Sequence, residues 1–337
     1  MALENSETVD IEEDVSLTAR SYSSSEDDLS LTMDSDRAGD TYSIDSSAMA
    51  FKMENGRRYQ AYREGAYWQP NDEVQSEQID ISHRRYLAML DGSLYMAPIP
   101  DDVERVLDLG TGTGIWAIDF ADLFPNTSVI GTDLSPIQPD MVPPNCRFEI
   151  DDCTEEWTYP PNYFDFIHIR SLLGSVADWD KLYAQAFKHL KPGGYIQHLE
   201  PSLYIHCDDN TLPQDSPLYK FSELFNEAGK RTGQSLDLCP TMSSKIAQAG
   251  FVNLHEKTYK TPLGEWSSDP KLQELGKWNL LQFDVGLEGF CIQLLTNIMG
   301  MTLPEVQLFC AQVRVAARDR RIHSYYPHTL VYAQKPL

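Results

Sequence analysis

Hydrophobic positions along this chain change their period several times, and each change marks an element. Between Glu73 and Leu90 apolar residues fall at 74, 79, 81, 86, 87 and 90, a spacing that predicts a helix. From residue 103 onward, short apolar runs alternate with helical stretches. Val103–Leu109, Ser128–Thr132, Arg147–Ile150, Phe164–Ile169 and Tyr195–Leu199 read as strands one to five. Ile115–Leu123 and Trp179–Leu190 read as helices between them, the second ended by Lys191-Pro-Gly-Gly194, since proline and glycine together stop a helix. The fourth run, Phe164-Asp-Phe-Ile-His-Ile169, is apolar almost throughout, as a strand covered on both faces must be. Helices are expected over 216–232 and 241–249, a sixth strand over Val252–Thr258, a mostly helical insertion near 270–320 and a last strand near Thr329–Ala333. Strands alternating with helices predict an α/β fold around a largely parallel, seven-stranded sheet.

Two segments precede that alternation. Residues 51–100 open with Phe51, Tyr59, Tyr62, Tyr67 and Trp68 before the first helix, and are expected to form an aromatic and helical lid over the sheet. Residues 1–50 carry 13 Asp or Glu against Arg20 and Arg37, together with 11 serines. Low hydrophobicity with high charge cannot offset the entropy of ordering, so this tail is expected to be disordered. It serves either as a solubilising tail or as a docking and phosphorylation segment for protein partners.

Charge and composition narrow the function classes. The formal net charge of the 337-residue chain is −24, which disfavours nucleic acid and anionic membrane surfaces as direct partners. No window approaches the ~20 apolar residues of a membrane span. The opening Met1-Ala-Leu-Glu-Asn-Ser-Glu lacks the basic and apolar parts of a signal peptide, so a cytoplasmic or nuclear protein, not a secreted one, is expected. The six cysteines, at 146, 153, 207, 239, 291 and 310, form no C-x-x-C pair, which points to reduced thiols. No histidine spacing suggests a metal, and no G-x-S-x-G elbow is present.

The chemistry begins in Val106-Leu-Asp-Leu-Gly-Thr-Gly-Thr-Gly-Ile115, where the first strand runs into glycines at 110, 112 and 114. A dinucleotide fingerprint would put the third glycine at 115, where this chain has isoleucine. The D-x-G-x-G-x-G form resembles that of class I (Rossmann-like) S-adenosylmethionine (SAM) methyltransferases. In such a site Gly110, Gly112 and Gly114 present backbone N–H groups to the amino-acid end of SAM, and Asp108 accepts from its ammonium. Asp133 ends the second strand and would hold the ribose diol. At the end of the third strand Asp152 would meet the adenine amine, with Asp151 as the alternative. Trp116 and Leu134 would wall the adenosine. All fall at the carboxyl ends of strands, the crevice where open α/β sheets bind ligands.

The match extends further. Glu54-Asn-Gly-Arg-Arg-Tyr59, Gly110-Thr-Gly-Thr-Gly-Ile-Trp-Ala117, Asp133-Leu-Ser-Pro-Ile-Gln-Pro139, Phe164-Asp-Phe-Ile-His168, Gly174-Ser-Val-Ala-Asp-Trp179 and Lys191-Pro-Gly-Gly194 resemble the fungal LaeA-like methyltransferases over roughly residues 51–336. The resemblance implies a seven-stranded class I sheet with an N-terminal lid and late helical insertion, SAM as cofactor, and a role in fungal secondary metabolism. Within it two functions remain open: methylation of a small-molecule metabolite or precursor, or nuclear regulation in a velvet-type protein complex. Methyl transfer needs alignment and exclusion of water more than a catalytic motif. Residues just past strands four and five face the methyl in this fold, which nominates His168, Arg170, His198 and Glu200. A buried structural imidazole at His168, and a simple strand end at Glu200, are the alternatives.

Overall fold

The structure, a computed structural model, describes residues 50–63 and 67–337. The tail expected over residues 1–50 lies outside the described residues except for Ala50.

The first elements form a small hairpin, β1 (Phe51–Glu54) and β2 (Arg57–Gln60), followed by helix α1 (Glu73–Met89). The central alternation comprises β3 (Arg105–Leu109), α2 (Ile115–Leu123), β4 (Ser128–Asp133), β5 (Cys146–Ile150), β6 (Phe164–Arg170), α3 (Trp179–His189) and β7 (Leu190–Pro201). After a two-residue strand β8 (His206–Cys207) come α4 (Pro217–Thr232), α5 (Cys239–Gln248) and β9 (Val252–Pro262). The late insertion is α6 (Pro270–Gln293), a π-helical turn (Leu294–Ile298) and α7 (Leu303–Ala317), and β10 (Ser324–Gln334) closes the order.

Five strands run parallel in the order β5-β4-β3-β6-β7. β10 continues the sheet antiparallel to β7, and both β9 and the short β8 pair with it. The chain enters at β3, fills one side with β4 and β5, then crosses to β6. That reversal opens a crevice at the strands' carboxyl ends. Alternate residues of β3 feed opposite layers, as the period of a strand requires. Val106 packs with Trp116, Phe120 and Phe166 below α2, whereas Leu107 and Leu109 join Ile167, Leu182 and Tyr183 below α3. α4, α6 and α7 surround a separate apolar core that includes Phe221, Phe283, Leu287 and Val313.

Residues 51–60, within the segment expected to form an aromatic and helical lid, make a hairpin. Arg57 clamps it with two bonds to Asp72, 2.6 and 2.8 Å long, and the same carboxylate caps α1 through the Gln75 amide at 3.0 Å. The buried side of α1 also departs from its apolar pattern. Val74 is exposed, while Gln75, Gln78, Ser82, Arg85, Tyr86 and Met89 are buried. Positions 75, 78, 82, 85 and 89 run at alternating steps of three and four, with Tyr86 beside them, so they share one helix face. That face is largely polar.

Gly114, expected to touch the cofactor, has another job. It caps α2 at φ 81°, and a Cβ there would stand 2.2 Å from Cζ of Phe148. Left-handed backbone and ring overlap together predict that Gly114→Ala lowers stability by about 2–4 kcal/mol. A urea midpoint equal to that of the native protein would overturn this assignment.

Candidate functional site

A cavity of about 530 Å3 opens at the carboxyl ends of β3, β4, β6 and β7 and runs beneath α1 toward α4 and α6. Its volume lies in the range of small-molecule sites. One end is acidic and formed by the sheet. The other is aromatic and formed by helices.

At the acidic end Asp108, Gly110, Gly112, Asp133, Leu134, Asp151 and Asp152 all line the cavity. Asp108 is buried and accepts from the Thr111 hydroxyl at 2.6 Å. Asp133 accepts from the amides of Gly112 at 2.8 Å and Ser135 at 2.9 Å. Burial pushes the Asp133 carboxyl up to about 6, although those amides pull it down. A carboxylate offers about four acceptor positions, so two remain for a diol. Asp152 takes the Thr154 amide and hydroxyl on Oδ1, at 3.0 and 2.6 Å. The other oxygen, Oδ2, lies 3.8 Å from Nε of Arg63. Gly112, at φ +61°, stands under Ile79 of α1, which a Cβ would touch at 3.4 Å. The Gly112 N–H is taken by Asp133, so the bare backbone there offers a ligand close approach to the loop rather than a free donor. These donors and acceptors fit the amino acid, ribose and adenine of SAM.

The N-terminal segment is tied to this end of the sheet. Thr113 donates to Asp80 of α1 at 2.7 Å, and Asn71 donates to Ser135 at 3.3 Å. Gln138 donates to the Gly112 carbonyl at 2.6 Å. Burial holds the neighbouring Cys153 thiol up at about 12, so it stays protonated and is no nucleophile.

Five expected site residues lie elsewhere. Trp116 does not wall the cavity: it is 1% exposed, its indole N–H donates to the Leu94 carbonyl at 2.9 Å, and its ring stacks on His168 at 3.7 Å. His168 is no general base facing a substrate. It lies opposite Asp108 in the β3–β6 register and bonds Asp108 Oδ1 through Nδ1 at 2.7 Å. Burial lowers its pKa despite that carboxylate, so the neutral ring donates from Nδ1. Glu200 also points away from the cavity. Fully buried, it accepts from the amides of Leu172 at 2.7 Å and Leu173 at 3.2 Å and from His198 at 2.7 Å. It positions the loop after β6. His198 in turn bonds the Tyr183 hydroxyl at 2.8 Å. Gly114, as above, caps a helix. Of the catalytic nominees, Arg170 alone lines the cavity.

Arg170 opens the second end. Its guanidinium lies 4.7 Å over the Tyr86 ring and 3.3 Å from His83 Nδ1. Burial and the Arg170 charge push His83 down to about 3, so that nitrogen accepts. Its Nε2 donates to Asp119 at 2.9 Å. Beyond Arg170 stand Trp68, Phe221, Phe225, Phe283 and Phe290. Phe221 stacks on Phe225 at 4.2 Å, and Trp68 meets Phe225 edge-on at 6.0 Å. Arg85, Gln282 and Tyr326 supply polar groups. Among the described residues no histidine lines the cavity. Sequence patterns had not singled out Arg85, Gln282 or Tyr326; the signal was the polar stripe at 75, 78, 82 and 85, hidden by the apolar residues beside it. Among the described residues no group of three or more His, Cys, Asp or Glu gathers as a metal site, and no helix is long and apolar enough to cross a membrane.

Comparison with known proteins gives the family. The family described as "Methyltransferase domain" matches residues 81–245. Methyltransferase pytC of Aspergillus terreus is 36% identical over 295 residues, covering 87% of this chain and 91% of that protein. Secondary metabolism regulator LAE1 of Cochliobolus heterostrophus is 37% identical, covering 84% and 94%. Secondary metabolism regulator laeA of Aspergillus niger is 33% identical, covering 88% and 79%.

Asp133 generates a pH prediction. If Asp133 holds the ribose diol, the hydroxyls donate to its ionised carboxylate, and protonation removes acceptor capacity and charge. Affinity for S-adenosylhomocysteine should be flat above pH 7 and fall as pH drops through about 6, approaching tenfold per unit once the acid is protonated. Folding carries the opposite sign. With a folded pKa above the unfolded one, this group's contribution to stability is full below the unfolded value and is lost as pH rises through about 6. Titration calorimetry on native protein and Asp133→Asn checks the binding limb, where the variant should be weak and pH-independent. A native affinity unchanged down to pH 5 would remove Asp133 from the ribose.

Proposed function

The chain belongs to the LaeA-like family of fungal methyltransferases, and from that premise we propose that it transfers a methyl group from SAM to a small molecule of secondary metabolism. SAM, when bound, supplies an electrophilic methyl carbon on a positively charged sulfur. Asp108, Gly110, Gly112, Asp133, Leu134 and Asp152 would hold it, as the acidic end of the cavity suggests. Arg170 and Tyr86 stand where that end meets the aromatic chamber, and they orient what enters. An acceptor packed among those rings displaces water from the reacting atoms, and alignment of its nucleophile with the methyl then contributes to the rate.

The observation that carries this reading is the chamber itself. Aromatic side chains from the segment before α1, from α4 and from α6 close around one continuous space that reaches the glycine loop. A small acceptor fits such an enclosure better than a protein surface does. The 37% identity to a protein named as a regulator favours a second reading, in which the same fold serves a transcriptional complex and the acidic residues 1–50 dock a protein partner.

Gene deletion with metabolite profiling separates the two. Loss of one methylated compound, with its unmethylated precursor accumulating, supports the enzyme. Silencing of many unrelated pathways would reject it in favour of the regulator.

A further inference from the structure

Arg85 is a buried cation in want of an anion. Its residue is 3% exposed and lines the cavity. Nη2 donates to the Ser82 hydroxyl at 2.9 Å and Nη1 to Oδ1 of Asn279 at 3.4 Å, while the guanidinium lies 4.2 Å over the Tyr86 ring. Nε is buried without a partner. Among the described residues no carboxylate pairs with it. The Asn279 oxygen is already shared, accepting from Tyr326 at 2.6 Å and from Gln282 at 3.3 Å. Burying an ion with only neutral partners is costly, and here the ion faces an open chamber. The cavity is therefore polarised. Carboxylates crowd the end fitted to a sulfonium, and Arg85 with Arg170 make the other end positive.

We propose that Arg85 anchors an anionic oxygen of the acceptor, so that the substrate is an acid on an aromatic or conjugated apolar body. This rests on the acceptor role proposed for the chamber. The acid is a carboxylate or an ionised enol or phenol, and a guanidinium recognises either by charge-assisted hydrogen bonds. The aromatic walls take the planar body. An ionised acceptor also accounts for a chamber in which no histidine stands among the described residues. Where the anionic atom takes the methyl, one C–O or C–C bond forms and the S–C bond breaks. Its electron pair stays on sulfur, leaving a neutral thioether, and no proton has to be removed.

The test uses the full chain with and without S-adenosylhomocysteine and four probes: 2-naphthoate, its neutral isostere 2-naphthamide, 4-hydroxycoumarin as an enolate, and 4-methoxycoumarin as its neutral counterpart. At least one acid should bind tenfold or more tightly than its neutral partner, and which acid does so distinguishes carboxylate from enolate. Arg85→Gln should erase that preference while leaving S-adenosylhomocysteine affinity within twofold. Arg85→Lys, which keeps the charge, should retain part of it and confirm that loss is not unfolding, with thermal melts run on both. Equal binding of acids and neutral partners to native protein overturns the proposal. So does a tenfold loss of S-adenosylhomocysteine affinity in Arg85→Gln, which would assign the guanidinium to the cofactor's own carboxylate. If native protein binds no S-adenosylhomocysteine, the methyltransferase reading fails, whereas the acid preference measured without it still stands or falls alone.

Discussion

Asp108 is a carboxylate buried between β3 and β6, and the bonds it accepts determine where the glycine loop begins. An unpaired charge in that position would be prohibitive. The neutral His168 ring answers one oxygen at 2.7 Å and the Thr111 hydroxyl answers the other at 2.6 Å. His168 is itself held flat by Trp116, whose indole is tied to the Leu94 carbonyl. One chain of contacts thus runs from the segment after α1, through α2, to the first residue of the site. Loosening any link would move the loop that Asp133 and α1 also grip.

This explains why the sheet was legible in the sequence and parts of the site were not. Strand ends and acidic residues lie where spacing put them, because a parallel sheet buried on both faces leaves a strong local signature in apolar runs such as Phe164–Ile169. The places of Asp108, Asp133 and Asp152 follow from that geometry, since the first two stand at the ends of β3 and β4 and the third two residues past β5. Side-chain direction does not follow. His168 and Asp108 share a register position, so a histidine near the methyl end by sequence turns sideways to a carboxylate. Glu200 likewise meets the amides of a loop adjacent only in space. Trp116, one residue into α2, faces the core below that helix, a choice that glycine-loop spacing does not encode.

The helical half was legible as helix and misleading as surface. Apolar residues at 74, 79, 81, 86, 87 and 90 indicated α1, but its buried face meets α6 through a relay of amides: Gln75 bonds Gln78 within α1 at 2.9 Å, and Gln78 bonds Gln282 of α6 at 2.8 Å. A hydrophobic stripe marks a helix that packs on a core. A helix that instead walls a ligand chamber needs polar groups inward, and sequence periodicity reads those as solvent-facing. The inversion is a physical trace of the chamber.

Polarity then ties the two halves together. A sulfonium methyl donor is cationic, and the acidic end of the cavity suits it, while the guanidiniums of Arg85 and Arg170 suit an acceptor of opposite charge. Reaction between a cation and an anion destroys charge, so a chamber walled by Trp68, Phe225 and Phe290 disfavours the separated ions more than the transition state. Water would reverse that advantage by solvating both ions. The aromatic enclosure, the absence of a histidine in its walls among the described residues and the buried cation therefore act in one direction: they replace proton transfer with electrostatic placement of an acceptor that arrives already ionised.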